Sequence, residues 1–356
     1  MIVIDNIAFY IQKSGGVSVV WKELIQRILE RRENVTFLNY KYPPQNMFYD
    51  ELRLSANIIY LRTICVKIQR YVPLYLFSIK KPFIFHSTYY RYSINPYAVN
   101  ITTVHDFTYE YFSKGLKKMV HTWQKYLAIR HSNYIICISE NTKQDLLKFM
   151  PNIDPRKIRV IYNGVSNDYF PIKKDVSYEL PFKSNSYLIF VGGRSGYKNF
   201  EYSVKSLVST NYNLLIVGPS LSSQEIAFLD QNLGRERYYC TGRISNQQLN
   251  IYYNYAFSLI YPSSYEGFGI PVIEAQKSGC PVIAYNGSSV SEIIGNTPLL
   301  LQSLTLVEMK RCLEILKSQE ERYRIIAFGI ENAKRFSWDE TYRQTMLLYK
   351  EALCLL

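Results

Sequence analysis

Short apolar runs alternate with longer helical patterns through the first part of the chain. The runs are rich in β-branched and aromatic residues, as buried strands are, while the segments between them repeat apolar residues every three or four positions. Strands are predicted at residues 2–4, 35–38, 83–86, 101–104 and 134–138, and helices at residues 17–32 and 117–131. Strands that alternate with helices form parallel sheets, so this part predicts a doubly wound α/β domain.

The same alternation starts again beyond a polar connector at residues 171–185. Strands are predicted at residues 187–191, 214–217, 238–241, 257–260 and 281–284, with a helix near residues 201–209. After residue 300 the pattern is helical to the end, and Trp338 lies near the start of one long helix that ends at Leu353. A chain of 356 residues is long enough for two such α/β domains.

One strand, loop and helix of the second domain carry glycines and carboxylates at close spacing. Gly267 and Gly269 leave the backbone bare before a helix that has Pro271 in its first turn, so free amides and the positive helix end can approach an anion. Glu266 precedes this helix and Glu274 lies about one turn inside it, where the two can frame the hydroxyls of one ligand. For either glutamate alone, a role in complementing the helix dipole explains the position equally well.

A second strand end, at residues 191–199, places two cations in a glycine-rich loop. Arg194 and Lys198 are four residues apart and can bind a diphosphate through charge-assisted hydrogen bonds. A solvated basic loop is the alternative explanation.

Together these segments resemble the retaining glycosyltransferases of family 4, also called glycosyl transferases group 1. The motifs are G-G-R-x-x-Y-K-N at residues 192–199, T-G-R-I-S at residues 241–245, and Y-P-S-x-Y-E-G-F-G-I-P-V-I-E-A with S-G-C-P-V-I-A within residues 261–284. The resemblance implies the GT-B fold, in which two doubly wound Rossmann-like domains face each other across a cleft and a C-terminal helix crosses back to the N-terminal domain. Here it predicts an acceptor-binding domain at residues 1–168, joined by the last helix at about 338–356, and a donor-binding domain at residues 169–337.

The resemblance also gives each residue of the donor pocket a role. Arg194 and Lys198, beside Gly193, would hold the diphosphate and stabilise the leaving group, and Glu274 would bind the ribose. Glu266 and the amides of the loop would hold the donor sugar, and the backbone near the T-G-R-I-S motif would line the base. The remaining donor-binding positions are Arg243, Ile244, Gly267, Phe268, Gly269 and Ile270.

The N-terminal half carries weaker motifs of the same family. Gly15 and Gly16 precede a helix and would approach the donor phosphate, although an ordinary turn between a strand and a helix has the same pattern. His105 follows an apolar strand and matches a histidine that contacts the donor sugar, with Asp106 beside it. For His86 a contact to the acceptor and a structural role are equally compatible with the sequence, and Asp106 is the other acceptor-binding candidate.

The expected reaction is metal-independent transfer of a hexose from a nucleoside-diphosphate sugar to a saccharide. The chain contains no D-x-D triplet, and Arg194 and Lys198 can supply the positive charge, so no metal and no cofactor are expected. The resemblance implies that the configuration of the sugar is retained and that His105, Glu266, Arg194 and Lys198 are catalytic. It also implies a place in O-antigen or polysaccharide synthesis, with mannosyl or rhamnosyl transfer as first guess. A sugar-nucleotide epimerase or hydrolase of the same fold is the alternative enzyme, and a basic nucleic-acid-binding protein is the alternative from another class.

The net charge of +13 is concentrated in the N-terminal half. Residues 1–170 hold 23 Lys/Arg against 12 Asp/Glu, and residues 52–105 hold seven Lys/Arg and no acidic residue. The apolar residues of one segment lie on one arc of a helical wheel, which predicts an interfacial helix on an anionic membrane that presents a lipid-diphosphate-linked acceptor; a helix packed on its own sheet is the alternative. These residues are Ile58, Leu61, Ile64, Cys65, Ile68 and Val72.

Compartment and redox state follow from what the chain lacks. No apolar run is long enough to span a bilayer, and the start lacks the pattern of a signal peptide, so we expect a cytoplasmic protein that is peripheral on the inner face of the cytoplasmic membrane. The six cysteines are scattered and are expected to be buried, reduced thiols.

Overall fold

A computed structural model describes residues 1–54, 57–62, 65–173 and 178–354. The chain forms two compact units, of which unit 1 contains residues 1–164 and 338–356 and unit 2 contains residues 165–337. Ile64, residues 174–177 of the predicted connector and the last two residues lie outside the described residues.

Unit 1 is built on a seven-stranded parallel sheet in the order β3-β2-β1-β4-β5-β6-β7. Every strand pairs in parallel with its neighbour, so crossover connections rather than hairpins join the strands. The strands are β1 (Ile2–Asp5), β2 (Val35–Tyr40), β3 (Ile58–Leu61), β4 (Phe83–Ser87), β5 (Ala98–Val104), β6 (Tyr134–Cys137) and β7 (Ile158–Val160). The helices are α1 (Ile7–Ile11), α2 (Gly16–Glu30), α3 (Val66–Gln69), α4 (Thr108–Phe112), α5 (Gly115–Arg130) and α6 (Glu140–Phe149).

Unit 2 repeats the architecture with a six-stranded parallel sheet in the order β10-β9-β8-β11-β12-β13. Its strands are β8 (Tyr187–Val191), β9 (Asn213–Val217), β10 (Tyr238–Gly242), β11 (Ser258–Tyr261), β12 (Val282–Tyr285) and β13 (Leu300–Leu301). Its helices are α7 (Phe200–Lys205), α8 (Ser223–Asn232), α9 (Asn246–Tyr255), α10 (Ile270–Lys277), α11 (Ser288–Ile294), α12 (Leu306–Lys317) and α13 (Gln319–Ala333). The prediction of two doubly wound Rossmann-like folds is confirmed.

The last helix, α14 (Trp338–Leu353), has the bounds that the sequence pattern predicts. It belongs to unit 1, where Met346, Leu348, Tyr349 and Ala352 join a buried cluster that also contains Trp21. These four inward positions of the helix therefore complete the core of the unit in which the chain begins.

The predicted interfacial helix at residues 58–72 is wrong. Ile58–Leu61 is an edge strand paired in parallel with β2, and helical structure among the described residues of the segment is confined to α3. The apolar spacing in this segment fits a helix as well as a strand, and pairing with the partner strand decides between them.

The structure also bears on the expected burial of the cysteines and on membrane-spanning helices. Cys137, Cys280 and Cys312 are buried, but Cys65 and Cys240 are half-buried and Cys354 is exposed, so uniform burial of the cysteines was wrong. Within the described ranges, no helix has both the length and the apolar character needed to cross a bilayer.

Candidate active site

The strand order of unit 2 brings two motif-bearing loops side by side. β8 and β11 are neighbours although they are far apart in sequence, and the chain leaves the sheet in opposite directions from this point, which is where open parallel sheets bind ligands. Asn199 Nδ2 donates to the carbonyl of Pro262 at 2.8 Å and to Ser264 Oγ at 2.7 Å, and the Ser264 amide donates to the Tyr197 carbonyl at 2.8 Å. Asn199 thus fixes the loop after β8 onto the loop after β11.

The most direct charge contact at this edge is an ion pair between Lys198 and Glu266. Both side chains are largely buried, and Lys198 Nζ lies 5.5 Å from the ring centre of Tyr197 and 5.7 Å from that of Tyr261. The Tyr261 hydroxyl also forms a hydrogen bond with the Glu266 carboxylate. Sequence reasoning assigned Lys198 and Glu266 to separate tasks, and the structure brings them together.

The loop from Glu266 to Gly269 is held at the start of α10 by the following loop. The Glu266 amide donates to Ser288 Oγ at 2.9 Å, and Ser289 Oγ donates to the carbonyls of Glu266 at 2.8 Å and Phe268 at 3.1 Å. Gly269 has φ +98°, a left-handed conformation that favours glycine, and it caps the helix. These bonds hold the backbone of residues 266–269 in place where the positive end of α10 begins.

Glu274 lies on α10, half-buried among tyrosines. Tyr253 Oη donates to its Oε2 at 3.4 Å, and Tyr169 also hydrogen-bonds to the carboxylate. Burial raises the pKa of Glu274 to about 7, and the two tyrosine hydrogen bonds oppose that rise. Near neutral pH this carboxyl is therefore present in both protonation states.

Arg194 takes part in a different network. Its Nε donates to Glu225 Oε1 at 2.6 Å and its Nη2 to Glu225 Oε2 at 3.2 Å, while the carbonyls of Pro219 and Ser220 accept from Nη1 and Nη2 at 2.9 and 2.8 Å. Hydrogen bonding to Arg194 is the main cause that lowers the pKa of Glu225 to about 2. Glu225 also closes a capping box with Ser222, so Arg194 is fastened to the first turn of α8.

The loops after β9 and β10 adjoin the same sheet edge. A Cβ on Gly218 would lie 2.3 Å from the Gly192 carbonyl oxygen, so these backbones meet as closely as glycine permits, and the Gly218 amide donates to the Gly242 carbonyl at 3.2 Å. Arg243 and Ile244 follow directly, exposed and half-buried respectively, before α9 begins. The loop after β9 therefore joins the T-G-R-I-S motif to the glycine-rich loop, where Gly193 has open space beside its Cα.

His105 lies at the end of β5 in unit 1, and it is buried. Its Nε2 has no hydrogen-bond partner among the described residues. Burial lowers the pKa of His105 to about 4 despite the opposing charge of Asp106, so the imidazole is neutral at physiological pH. Asp106 Oδ1 accepts from the amide of Thr108, the first residue of α4, at 2.9 Å.

Gly15 and Gly16 stand at the start of α2, as predicted from the sequence. A Cβ on Gly16 would meet nothing within 4 Å. Packing within unit 1 therefore does not require a glycine at position 16, which leaves a ligand as one reason for it.

His86 is fully buried, and its proposed contact to the acceptor does not fit this position. Its Nδ1 is 2.6 Å from Tyr349 Oη on α14, its Nε2 is 2.9 Å from Thr103 Oγ1, and its ring packs edge-on against Trp21. Both ring nitrogens are occupied and burial lowers the pKa of His86 to about 3, so the residue is a neutral element of the core.

Several residues of the site escaped the sequence reasoning. Glu225 is 31 positions from Arg194 in a helix start that looks ordinary, and Tyr169 and Tyr253 are two among 33 tyrosines. Ser288 and Ser289 had a usable signal, because they follow a predicted strand and begin a helix, as the other loops of the site do.

Two family profiles divide the chain between them. The profile "Glycosyl transferases group 1" matches residues 173–331, and the profile "Glycosyltransferase Family 4" matches residues 14–169. Each of the two profiles falls almost entirely within one of the two sheet-containing stretches of the chain.

Similar curated proteins include two mannosyltransferases. The chain is 30% identical over 204 residues to the O-antigen chain mannosyltransferase RfbU of Salmonella typhimurium, covering 55% of each chain. It is 26% identical over 277 residues to the O-antigen chain mannosyltransferase B of Escherichia coli, covering 70% of each. The match thus spans about half the length of the first relative.

Solved structures share the fold over the full length of the chain. Sucrose-phosphate synthase from Thermosynechococcus elongatus superposes with a TM-score of 0.78 at 16% identity, covering 100% of this chain and 99% of that one. Anabaena HepE, solved in complex with UDP and glucose, gives a TM-score of 0.71 at 13% identity, covering 99% of this chain and 100% of that one. The fold is GT-B, and with both profiles matched the protein belongs to the glycosyltransferases of family 4, the glycosyl transferases of group 1.

Proposed function

We propose that the protein transfers a hexose from a nucleoside-diphosphate sugar to a saccharide acceptor, with the donor bound by unit 2. The observation that carries the proposal is the joining of the Lys198–Glu266 ion pair, the anchored loop at the start of α10 and Glu274 at one edge of a parallel sheet. A cation, a positive helix end and a carboxylate for hydroxyl groups are what a nucleotide sugar requires. Similarity to HepE, which was solved with UDP and glucose, supports a nucleotide sugar as ligand.

At the donor, each group has a task that its chemistry permits. Glu274 accepts hydrogen bonds from the ribose hydroxyls, and Glu266 and the amides at residues 268–270 hold the sugar. Lys198 faces the diphosphate and exchanges part of its interaction with Glu266 for phosphate oxygens. The guanidinium of Arg194 has five N–H donors, and four of them bond to Glu225, Pro219 and Ser220 among the described residues, so it can join Lys198 at the diphosphate through the second N–H of Nη1.

The reaction breaks the bond between the anomeric carbon and the diphosphate oxygen and forms one from that carbon to an acceptor hydroxyl oxygen. The hydroxyl proton passes to the departing diphosphate, whose growing charge Lys198 stabilises. We propose that this occurs on one face of the sugar, with retention, and without a metal. The absence of a D-x-D triplet from the sequence and the cation at the site support metal independence.

The roles of the unit 1 residues remain predictions. A neutral His105 can give or accept one hydrogen bond to a sugar hydroxyl, which suits its expected contact to the donor. Gly15 and Gly16 would let a phosphate approach the start of α2, and Asp106 remains the acceptor-binding candidate.

For the substrate, we propose a mannosyl transfer in O-antigen assembly onto a lipid-linked acceptor. Similarity to RfbU and to O-antigen chain mannosyltransferase B supports the sugar and the context. A lipid-linked acceptor would bring the protein to the cytoplasmic face of the membrane.

Release of nucleoside diphosphate from a panel of guanosine, uridine and thymidine diphosphate sugars tests the proposal. We expect release from one donor, dependent on a saccharide acceptor, insensitive to a chelator, and strongly reduced in Lys198→Ala but not in Lys205→Ala, a lysine on the surface of unit 2. Release at the same rate without acceptor would instead indicate a hydrolase or epimerase. The proposed function is wrong if no donor turns over and if DNA, but no nucleoside diphosphate, stabilises the protein against thermal unfolding.

A further inference from the structure

Helix α5 presents a stripe of large apolar side chains to solvent. Leu116, Met119 and Trp123 recur at spacings of three and four residues, so they share one face, and they are 68%, 62% and 53% exposed. The opposite face is buried in unit 1. Single exposed apolar residues are common on protein surfaces, but a row of three along one helix indicates an interaction site.

Helix α3 extends this stripe. Arg70 Nε and Nη2 donate to Gln124 Oε1 at 3.2 and 3.0 Å, and Gln124 Nε2 donates back to the Arg70 carbonyl at 3.0 Å. Val72 and Trp123 line one shallow depression next to this contact, and Ile68 and Val72 are exposed. Val72, just beyond the end of α3, and Trp123 on α5 thus meet at the surface. We call the exposed apolar residues of these two segments, Ile68, Val72, Leu116, Met119 and Trp123, the α3–α5 face.

Lysines neighbour the residues of the α3–α5 face in sequence. Lys67, Lys114 and Lys117 are exposed and Lys118 is half-buried, while residues 111–139 contain five Lys/Arg and no acidic residue. The sequence of unit 1 carries 25 Lys/Arg against 14 Asp/Glu, whereas unit 2 is nearly balanced with 17 against 15. The excess charge of the protein therefore belongs to the unit that has this face.

We propose that the α3–α5 face docks on an anionic phospholipid membrane. A helix with one apolar face that carries a tryptophan and is flanked by lysines matches the interface of a bilayer, where apolar side chains enter the acyl boundary and lysines meet the lipid phosphates. The proposal depends on the proposed function only through the lipid-linked acceptor, which would lie in that membrane.

The fluorescence of Trp123 tests the proposal directly. The other two tryptophans, Trp21 and Trp338, are 1% and 3% exposed, so a change of environment on vesicle binding reports on Trp123. With phosphatidylglycerol vesicles we expect a blue shift and quenching by brominated lipid, both lost in Trp123→Phe. With neutral phosphatidylcholine vesicles we expect neither.

Variants separate the charge from the apolar stripe. Each lysine near an anionic surface contributes about fivefold to binding, so replacing the exposed Lys67, Lys114 and Lys117 by Ala should weaken vesicle binding on the order of a hundredfold. Leu116→Ser with Met119→Ser should reduce it at least tenfold, on the order expected for losing two buried apolar side chains.

Matched controls come from unit 2. Leu306→Ser with Val307→Ser removes two apolar side chains that are also exposed, and alanine at three surface lysines removes the same charge; both should bind vesicles as the wild type does. These lysines are Lys205, Lys310 and Lys334. Circular dichroism checks the folding of every variant.

Three results would overturn the proposal. These are no blue shift with anionic vesicles, equal binding to neutral and anionic vesicles, or a dimer in solution that Leu116→Ser and Met119→Ser dissociate, which would assign the face to a second copy. Vesicle binding is measured without donor or acceptor, so a protein that does not bind vesicles leaves the proposed transfer reaction untouched. A protein that binds vesicles but transfers no sugar would contradict only the proposed transfer reaction.

Discussion

Replacing Glu274 by glutamine should stabilise the protein, relative to the wild type, increasingly as the pH rises. In the unfolded chain this carboxyl loses its proton near its ordinary pKa of 4.5, but in the folded protein burial raises the pKa to about 7. Between these values the folded state holds a proton that the unfolded state has lost. Below pH 4.5 the Glu274 carboxyl therefore does not lower the free energy of unfolding of the wild type. Its ionisation lowers that free energy as the pH rises, and the full loss is reached above about pH 7.

The size of this cost follows from the two pKa values. One pH unit corresponds to about 1.4 kcal/mol, so the separation between 4.5 and about 7 amounts to about 3 kcal/mol. Glutamine does not titrate, and it keeps an oxygen that can accept the hydrogen bond from Tyr253. The free energy of unfolding of the variant minus that of the wild type should rise by about 2.5 kcal/mol from about pH 5 to about pH 8.

Urea unfolding followed by circular dichroism at several pH values measures this difference. Because all other groups are shared, subtracting the two curves isolates Glu274. Glu201→Gln, the same substitution at an exposed position of unit 2, is the matched control. A difference for Glu274→Gln that stays constant with pH would refute the inference that this carboxyl is desolvated among Tyr169 and Tyr253.

Three further predictions address the remaining contacts. Lys198→Ala should lower kcat about a hundredfold through the loss of one charged contact to the diphosphate, while Lys205→Ala leaves it unchanged; equal kinetics would contradict the assignment. Glu225→Gln should lower the free energy of unfolding at neutral pH by about 1–2 kcal/mol. Because Arg194 stabilises the ionised carboxylate, the difference between wild type and variant should narrow as the pH falls below about 4.5 toward 2, and urea unfolding measures this difference. His86→Ala should cost about 2–4 kcal/mol in unfolding free energy and leave the acceptor KM unchanged, and a raised KM in a stable variant would restore a role at the acceptor.

The elements with strong local patterns could be predicted from the sequence. Helix α14 begins at Trp338 and ends at Leu353 in the prediction and in the structure, because apolar residues recur along it with helical spacing and its packing agrees with that pattern. The segment at residues 58–61 could not, since its apolar residues fit both periods. Its pairing of Ile58 with Phe37 depends on a partner 21 residues away, which a local pattern does not contain.

The site shows the same division between local and distant information. Gly269 at the cap of α10 was readable because a strand, a glycine loop and a proline in the first turn occur in sequence. The partners of the charged residues were not, because Lys198 and Glu266 lie 68 positions apart and Arg194 meets Glu225 through the sheet order. Motifs therefore identified the chemistry, and the fold determined which charges pair.

The place of α14 in unit 1 bears on how the protein can fold during synthesis. Tyr349 closes over His86, and the last helix supplies several residues of the core that contains Trp21. The ribosome must therefore make all of unit 2 before the core of unit 1 can be completed, although domains usually fold in the order in which they emerge. Unit 2 is continuous in sequence and can reach its native structure first, while the core of unit 1 is incomplete until α14 has been made. Ending the chain before residue 338 should accordingly leave a folded unit 2 beside an unstable unit 1, and a free α14 peptide added in trans should restore the latter.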